Sequence, residues 1–303
     1  MRHKITLSYN GLKYSGWQIQ NNATTIQGEL DKALSILFGE PVHTTGAGRT
    51  DAGVSATGYV CHFDTSDNGT DRAPHDKSKL LYKLNAILPT DIVAHDIEEA
   101  DDHFNARFDA KRREYKYFVH RVKDPFAEQF SFHCRYPLDV DLMNEACTYL
   151  IGTHDFSCFE KTGGNNVTSI CTIFDAAWTA YTPDHVGILG FGNIASTANT
   201  TSIDNIDNID NTASTVNTAG KPEGSTNASA KRDFQMDCRY IVFTISADRF
   251  LRNMVRAIVG SLIDVGRGKR KPEWIGELIS TGTRCDAGES VPGNALFLCK
   301  IDY

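Results

Sequence analysis

The chain has 303 residues, of which 41% are hydrophobic and 23% are charged, and its formal net charge at pH 7 is −7. This length and composition predict a globular protein with one large domain or two ordinary ones. No apolar stretch is long enough to cross a bilayer, and residues 1–6 (MRHKIT) lead directly into a strand pattern without a signal-peptide core. We therefore expect a soluble, cytoplasmic protein with no membrane partner.

The first hundred residues alternate between strand and helix patterns. Residues 5–9 alternate as a strand does, and Thr24 with Gln27 forms a capping box before a helix that should run to about Gly39. Residues Pro41–Phe63 should form a strand, a glycine-rich loop and a second strand. A helix over Leu80–Ile87, which Pro89 ends, and a strand over Ile92–Ile97 should follow.

The pattern starts again after Phe108, so the sequence predicts two α/β halves, 1–108 and 109–303. The second half should contain a strand over Tyr115–Val119, a helix over Asp141–Ile151, strands over Ile170–Ala180 and Tyr240–Ser246, helices over Leu251–Ile263 and Trp274–Ile279, and a strand over Leu296–Ile301. Residues 193–232 are rich in Ser, Thr and Asn, which predicts a disordered insertion. The segments that end at Gly190 and resume at Phe234 should be the strands of the hairpin that this insertion extends.

Neither the cysteines nor the histidines have the spacing of a metal site. The eight cysteines include no C-x-x-C pair, and the ten histidines include no H-x-x-x-H pair. We therefore predict reduced, mostly buried thiols and no metal.

The segment Gly46–Gly53 (GAGRTDAG) is the first candidate for chemistry. Its glycines allow a tight turn, and Arg49 and Asp51, two residues apart, can face the same way. A carboxylate beside an arginine stays ionised, as a nucleophile or general base must be. A glycine-rich turn with a structural Arg–Asp pair is the other interpretation, and the spacing alone favours it. The segment lacks the Lys-Ser/Thr ending of a nucleotide-binding P-loop.

Basic residues cluster at three places in this acidic chain, which allows a locally positive groove. Lys111–Arg113 precede the alternating Tyr115 and Tyr117, an arrangement that can neutralise phosphates and stack bases. The alternative is a strand with a solvated charged face and both tyrosines in the core. A second cluster, Arg249, Arg252 and Arg256 along the 251–263 stripe, is either a row of surface charges or the lip of a cleft. The third cluster is Arg267–Lys271.

Five motifs occur in a fixed order along the chain: YNG at 9–11 with YSGWQ at 14–18, GAGRTDAGV at 46–54, FNARF at 104–108, REYKY at 113–117, and NMVR at 253–256 with IVG at 258–260. Together they resemble the TruA family of tRNA pseudouridine synthases. The resemblance covers nearly the whole chain apart from the insertion, and the second motif is its most specific part.

The resemblance implies an enzyme that converts uridine to pseudouridine at positions 38 to 40 of the tRNA anticodon stem-loop, as a homodimer and without a cofactor. Asp51 would be the nucleophile that attacks the ribose or the base, and Tyr115 would pack against the uracil. Arg49 would hold the flipped nucleotide, Arg256 would pair with Asp51, and Leu296 would line the pocket. Chemistry at C1′ and C5 of a stacked uridine does require the base to be extruded.

The same resemblance implies an α+β fold of two ferredoxin-like (RRM-like) halves whose antiparallel sheets meet at a central cleft. The sequence departs from the family pattern at Ser55 and Asn105, where histidine is common, and at Ala295, where glycine is usual. We expect the first two to alter RNA contacts in the cleft.

Two other functions compete with this one. A non-catalytic RNA-binding protein of the same fold is opposed by the joint presence of Asp51, Tyr115 and Arg256. An enzyme acting on small nucleotides would not need the basic clusters at 111–113 and 267–271, and a steep salt dependence of tRNA binding separates it from the first hypothesis.

Overall fold

The computed structural model describes residues 1–66, 76–163, 167–188 and 238–303. The fold is mixed α+β, as predicted, and is built on one large, mostly antiparallel sheet. The chain divides into a large unit, 1–179 with 241–303, and a small unit, 180–240. The insertion predicted at 193–232, and the hairpin positions Gly190 and Phe234, lie outside the described residues.

Ten strands of the described residues form the sheet. They are β1 (Arg2–Tyr9), β2 (Thr45–Gly46), β3 (Ser55–Asp64), β4 (Ile92–Ala100), β5 (Arg112–His120), β6 (Phe132–His133), β7 (Gly152–Asp155), β8 (Ile170–Ala180), β9 (Tyr240–Ala247) and β10 (Leu296–Asp302). Their order is β4-β1-β3-β10-β5-β9-β8-β7, with β2 on β3 and β6 on β5. Strand β10 is parallel to β3 and antiparallel to β5, so it joins the strands of the first hundred residues to those that follow.

The helices in the described ranges are α1 (Ile26–Phe38), α2 (Lys77–Ile87), α3 (Val140–Cys147), α4 (Asp184–Ile188), α5 (Met254–Gly266) and α6 (Trp274–Thr281). Helix α1 packs against α2, and α3 packs against α5 and α6. Aspartate side chains cap α2 and α3: Asp76 accepts from the Lys79 amide at 2.9 Å and Asp139 from the Leu142 amide at 3.0 Å.

The short helix α4 belongs to the small unit. Its first turn is closed by a hydrogen bond from the Val186 amide to the Pro183 carbonyl at 3.0 Å. Our prediction of a strand that ends at Gly190 is therefore wrong for residues 184–188, which are helical.

Helix α1 begins one residue later than the capping box predicts. Thr25, not Thr24, is the N-cap, and its Oγ1 accepts from the Gly28 amide at 3.2 Å. The Gln27 side chain does not complete a capping box; its Nε2 donates instead to the Thr44 carbonyl at 2.7 Å. The predicted end is right, because Gly39 adopts φ +70° and closes the helix in the left-handed conformation.

Three further boundaries differ from the sequence pattern. The stripe that starts at Leu251 becomes helical only at Met254, because Asn253 has φ +64° and interrupts the helical backbone. The helix expected over Asp141–Ile151 is α-helical over Val140–Cys147 and ends in a 3-10 turn. The strand expected from Pro41 is reduced to the two residues of β2.

The cysteines agree with the prediction of reduced, mostly buried thiols. None forms a disulfide and six are buried, whereas Cys285 is exposed and Cys299 is partly exposed. Across the described ranges, no helix combines the length and apolarity needed to span a membrane.

Candidate active site

A cleft of about 1170 Å³ opens in the large unit. All five residues that the resemblance singled out line it: Arg49, Asp51, Tyr115, Arg256 and Leu296. They come from the loop between β2 and β3, from β5, from the first turn of α5 and from the start of β10. Sheet order and helix packing thus bring together side chains that are far apart in the sequence.

Close packing against aromatic rings fixes where the 46–53 loop begins. Trp17 and Tyr59 stack at 4.1 Å between ring centroids. A Cβ on Gly46 would lie 2.0 Å from the Tyr59 hydroxyl and 2.7 Å from the Trp17 ring, so only glycine fits there. At the other end, Gly53 adopts φ +79°, which glycine reaches without strain.

Three carbonyls of this loop have fixed partners. The Ala47 carbonyl accepts from Arg113 Nη2 at 2.9 Å, the Gly48 carbonyl accepts from the Tyr59 hydroxyl, and the Thr50 carbonyl accepts from the Trp17 amide at 3.2 Å. Hydrogen bonds from three different residues therefore hold the backbone that carries Asp51.

Asp51 forms an ion pair with Arg256. Arg256 Nη1 lies 3.2 Å from Asp51 Oδ2, and the side chains keep 30% (Asp51) and 22% (Arg256) of their surface exposed, so a substrate can reach the carboxylate. Arg256 Nε also donates to the Val291 carbonyl at 2.7 Å, which fixes the guanidinium. The pairing that the resemblance implied is present, whereas Arg49 lines the same cleft as Asp51 without forming an ion pair with it. The Arg49 side chain is exposed and, within the described ranges, makes no hydrogen bond or ion pair.

Tyr115 and Leu296 line the apolar side of the cleft. Tyr115 is only 8% exposed and meets Phe250 edge to face, with ring centroids 5.1 Å apart. Burial raises the pKa of the Tyr115 hydroxyl, which is therefore neutral at physiological pH. Leu296 lies opposite the buried Tyr117, whose hydroxyl donates to the Pro292 carbonyl at 3.1 Å. Both tyrosines are thus packed in the core, as the alternative interpretation of this strand predicted.

Two of the three residues in the basic run 111–113 make contacts within the protein instead of forming the phosphate-neutralising platform that we considered. The Arg113 guanidinium turns inward and donates to the carbonyls of Ala47, Arg107, Ala110 and Asp248 at 2.6–3.2 Å, and burial lowers its pKa. Arg112 forms an ion pair with Asp175 at 2.5 Å. The contacts by which Arg113 positions the loop were not among our predictions. Period-two alternation places Arg113 on the same strand face as the buried Tyr115 and Tyr117, and that signal was available.

Arginine dominates the charge of the cleft, although the whole chain is acidic. Two aspartates line it, Asp51 and Asp248, against six arginines: Arg49, Arg107, Arg113, Arg249, Arg252 and Arg256. Such a surface attracts a polyanion to a protein whose net charge is negative.

Two of the three departures from the family pattern have local structural partners. Ser55 is buried, and its Oγ accepts from the Gly11 amide at 3.0 Å, so it lies below the cleft surface, contrary to our expectation. Asn105 Oδ1 accepts from the amides of Arg107 and Phe108 at 3.0 and 3.1 Å and shapes the turn at the cleft edge. Ala295 is fully buried.

A family model described as tRNA pseudouridine synthase matches residues 146–303, which is more than half of the chain. A protein of Bacteroides fragilis named tRNA pseudouridine synthase A is 38% identical over 302 residues, covering 100% of this chain and 96% of its own length. The chain belongs to the tRNA pseudouridine synthase family.

Relatives of the same name also occur in more distant bacteria. The tRNA pseudouridine synthase A of Thermoanaerobacter sp. is 34% identical over 301 residues, with 99% of this chain and 98% of its own length covered. That of Brevibacillus brevis is 34% identical over 304 residues, with 100% and 99% covered. The similarity therefore spans both sides of the cleft.

Proposed function

We propose that this protein isomerises uridine to pseudouridine in tRNA and that Asp51 is its nucleophile. The observation that carries the proposal is the Asp51–Arg256 ion pair, at 3.2 Å, in an arginine-rich cleft of a chain that belongs to the tRNA pseudouridine synthase family. The relatives named tRNA pseudouridine synthase A match along their whole length, which supports tRNA as the substrate.

The reaction replaces one bond to the ribose with another. The carboxylate of Asp51 attacks the ribose at C1′ or the base, the bond between N1 and C1′ breaks, and the freed uracil turns over within the cleft. A new bond then joins C5 to C1′, C5 loses its proton while N1, freed from the ribose, takes one up, and Asp51 is released unchanged. No redox change occurs, so the reaction needs a placed carboxylate and a shielded site rather than a cofactor.

Four other residues have roles that fit their positions. The guanidinium of Arg256 orients the Asp51 carboxylate, because its second contact, to the Val291 carbonyl, fixes the guanidinium itself. Tyr115 and Leu296 offer apolar surface on which the uracil packs. Exposed Arg49 has no competing internal contact within the described ranges, so it is available to hold the nucleotide that leaves the stack.

The family resemblance supports finer proposals. We infer that the target uridines are at positions 38 to 40 of the anticodon stem-loop, that the enzyme works as a homodimer, and that it acts in the cytoplasm, where tRNA is used. We also infer two ferredoxin-like halves, 1–108 and 109–303, that meet at the cleft. The separate packing of α1 with α2 and of α3 with α5 supports two halves.

The test is replacement of Asp51 by asparagine, which keeps the shape of the side chain but removes its nucleophilicity. We expect Asp51→Asn to release no tritium from tRNA labelled at C5 of uridine, while tRNA binding is kept. Asp102→Asn is the matched control, because Asp102 is exposed and outside the cleft, and it should retain full activity.

Full tritium release by Asp51→Asn would contradict the proposed mechanism. If the unchanged protein binds tRNA with a steep salt dependence but releases no tritium, the non-catalytic RNA-binding function replaces the enzymatic one.

A further inference from the structure

A second cluster of functional side chains lies outside the cleft, on the strand pair β5 and β6. These strands are parallel, and His120 pairs with His133, so both side chains stand on the same face. Their rings stack with centroids 4.9 Å apart and an interplanar angle of 9°. Glu128 lies in the segment that connects the two strands. Its Oε1 is 3.9 Å from His120 Nε2 and 3.8 Å from His133 Nδ1.

One buried atom of this cluster has no hydrogen-bond partner within the described residues. The His120 side chain is fully buried, and its Nε2 has no hydrogen-bond partner. Its other nitrogen, Nδ1, lies 2.9 Å from the buried hydroxyl of Ser131. When Nδ1 donates to Ser131, the lone pair of Nε2 points towards Glu128 and His133. A buried polar atom without a hydrogen-bond partner destabilises the folded state, and a ligand bound to this lone pair would remove that penalty.

We propose that His120, Glu128 and His133 bind one Zn²⁺ ion, with water as the fourth ligand. Two imidazole nitrogens and one carboxylate are a known zinc ligand set. The three candidate ligand atoms already lie within 4.8 Å of one another. Tetrahedral zinc needs them roughly 3.3 Å apart, so both the exposed Glu128 side chain and the partly exposed His133 ring must move towards the buried His120. Ser131 is then the outer partner that orients His120.

Such an ion ties the segment between β5 and β6 to the sheet, next to the cleft. The carbonyls of Glu128 and Gln129 accept from Asn294 Nδ2 at 3.3 and 3.2 Å. The neighbouring Gly293 packs so closely against the catalytic loop that an added Cβ would lie 2.6 Å from the Ala52 carbonyl. The ion thereby stabilises one wall of the site without taking part in the reaction.

Spacing along the chain predicted no metal, and this proposal departs from that prediction. His120 and His133 are not near neighbours on one helix, and their approach depends on the register between β5 and the two-residue strand β6. Sequence spacing does not reveal such a register.

The test is a calorimetric titration of the tag-free, chelator-treated full chain with ZnCl₂, with MgCl₂ as the comparison. We expect one zinc site per chain, with a dissociation constant in the micromolar range or tighter, and no comparable magnesium binding. Co²⁺ in place of zinc should give the intense visible absorption of a tetrahedral complex. Glu128→Gln and His133→Gln should each weaken zinc binding by roughly tenfold or more.

Glu99→Gln is the matched control, because it makes the same chemical change at an exposed position of β4. It should bind zinc as the unchanged protein does. Glu128 is exposed, so its replacement should not prevent folding, and circular dichroism checks this directly. Failure to find a saturable zinc site, or equal affinity in the unchanged protein and Glu128→Gln, overturns the proposal.

Discussion

The guanidinium of Arg113 should contribute more to stability than any surface charge of this protein. It donates to four backbone carbonyls. Two of them are those of Ala47, directly after β2, and Asp248, directly after β9. A hydrogen bond from a charged donor contributes about 1.5–3 kcal/mol. The four contributions do not simply add, because carbonyls that face the cleft can be rehydrated in a variant. We therefore expect Arg113→Met to lower the free energy of unfolding by about 3–5 kcal/mol, near the upper end for a single substitution.

Activity should fall together with stability in this variant. The Ala47 carbonyl anchors the loop that carries Asp51, and a shift of about 1 Å in a catalytic group can reduce the rate roughly 100-fold. Thermal unfolding should show a midpoint lowered by roughly 6–10 °C, and tritium release measured well below that midpoint should show the loss of rate.

Arg112→Met is the matched control for this prediction. Arg112 is the neighbouring residue on β5, and its partner Asp175 is mostly exposed. Loss of such a surface pair should cost no more than about 1 kcal/mol. If Arg113→Met and Arg112→Met unfold and react alike, the carbonyl contacts of Arg113 do not hold the loop in the way that we describe.

Two further predictions concern packing and pH. Gly46→Ala should lower the unfolding free energy by about 1–3 kcal/mol, because its Cβ would collide with Tyr59, whereas Gly48→Ala, with nothing within 4 Å of the added Cβ, should leave the unfolding midpoint unchanged. Burial lowers the pKa of His62, whose Nδ1 accepts from the Ala106 amide at 3.1 Å. The unfolded chain therefore binds more protons just below pH 6.5, and stability should fall as the pH drops from about 7 to 5. A smaller fall is expected for His62→Gln, and an equal fall would refute this cause.

Several parts of the fold could be predicted from the sequence because they depend on local chemistry. The end of α1 at Gly39 and the alternation of β1 follow from single-residue preferences and from a period of two. The N-cap of α1 was misplaced by one residue because both Thr24 and Thr25 can cap a helix. A capping box with Thr24 would need the Gln27 side chain, which instead donates to the distant Thr44 carbonyl.

The geometry of the site was less accessible to sequence reasoning. The spacing of Arg49 and Asp51 suggested a local ion pair, but the partner of Asp51 is Arg256, at the start of α5. Only the family resemblance, whose motifs carry tertiary information, anticipated that pairing. The apolar stripe also runs on without a break from Leu251, so it gave no sign that the positive φ of Asn253 delays the start of α5.

The position of β10 in the sheet constrains how the protein can fold during synthesis. Every other strand of the described sheet precedes β10 in the chain, yet β10 is the strand that lies between β3 and β5. Until residues 296–302 leave the ribosome, β3 and β5 each lack a neighbour, and Leu296 cannot reach the cleft. Long-range pairing of this kind forms late and slowly. We therefore expect a nascent chain that has already made its Asp51 loop to be inactive until β10 inserts between β3 and β5.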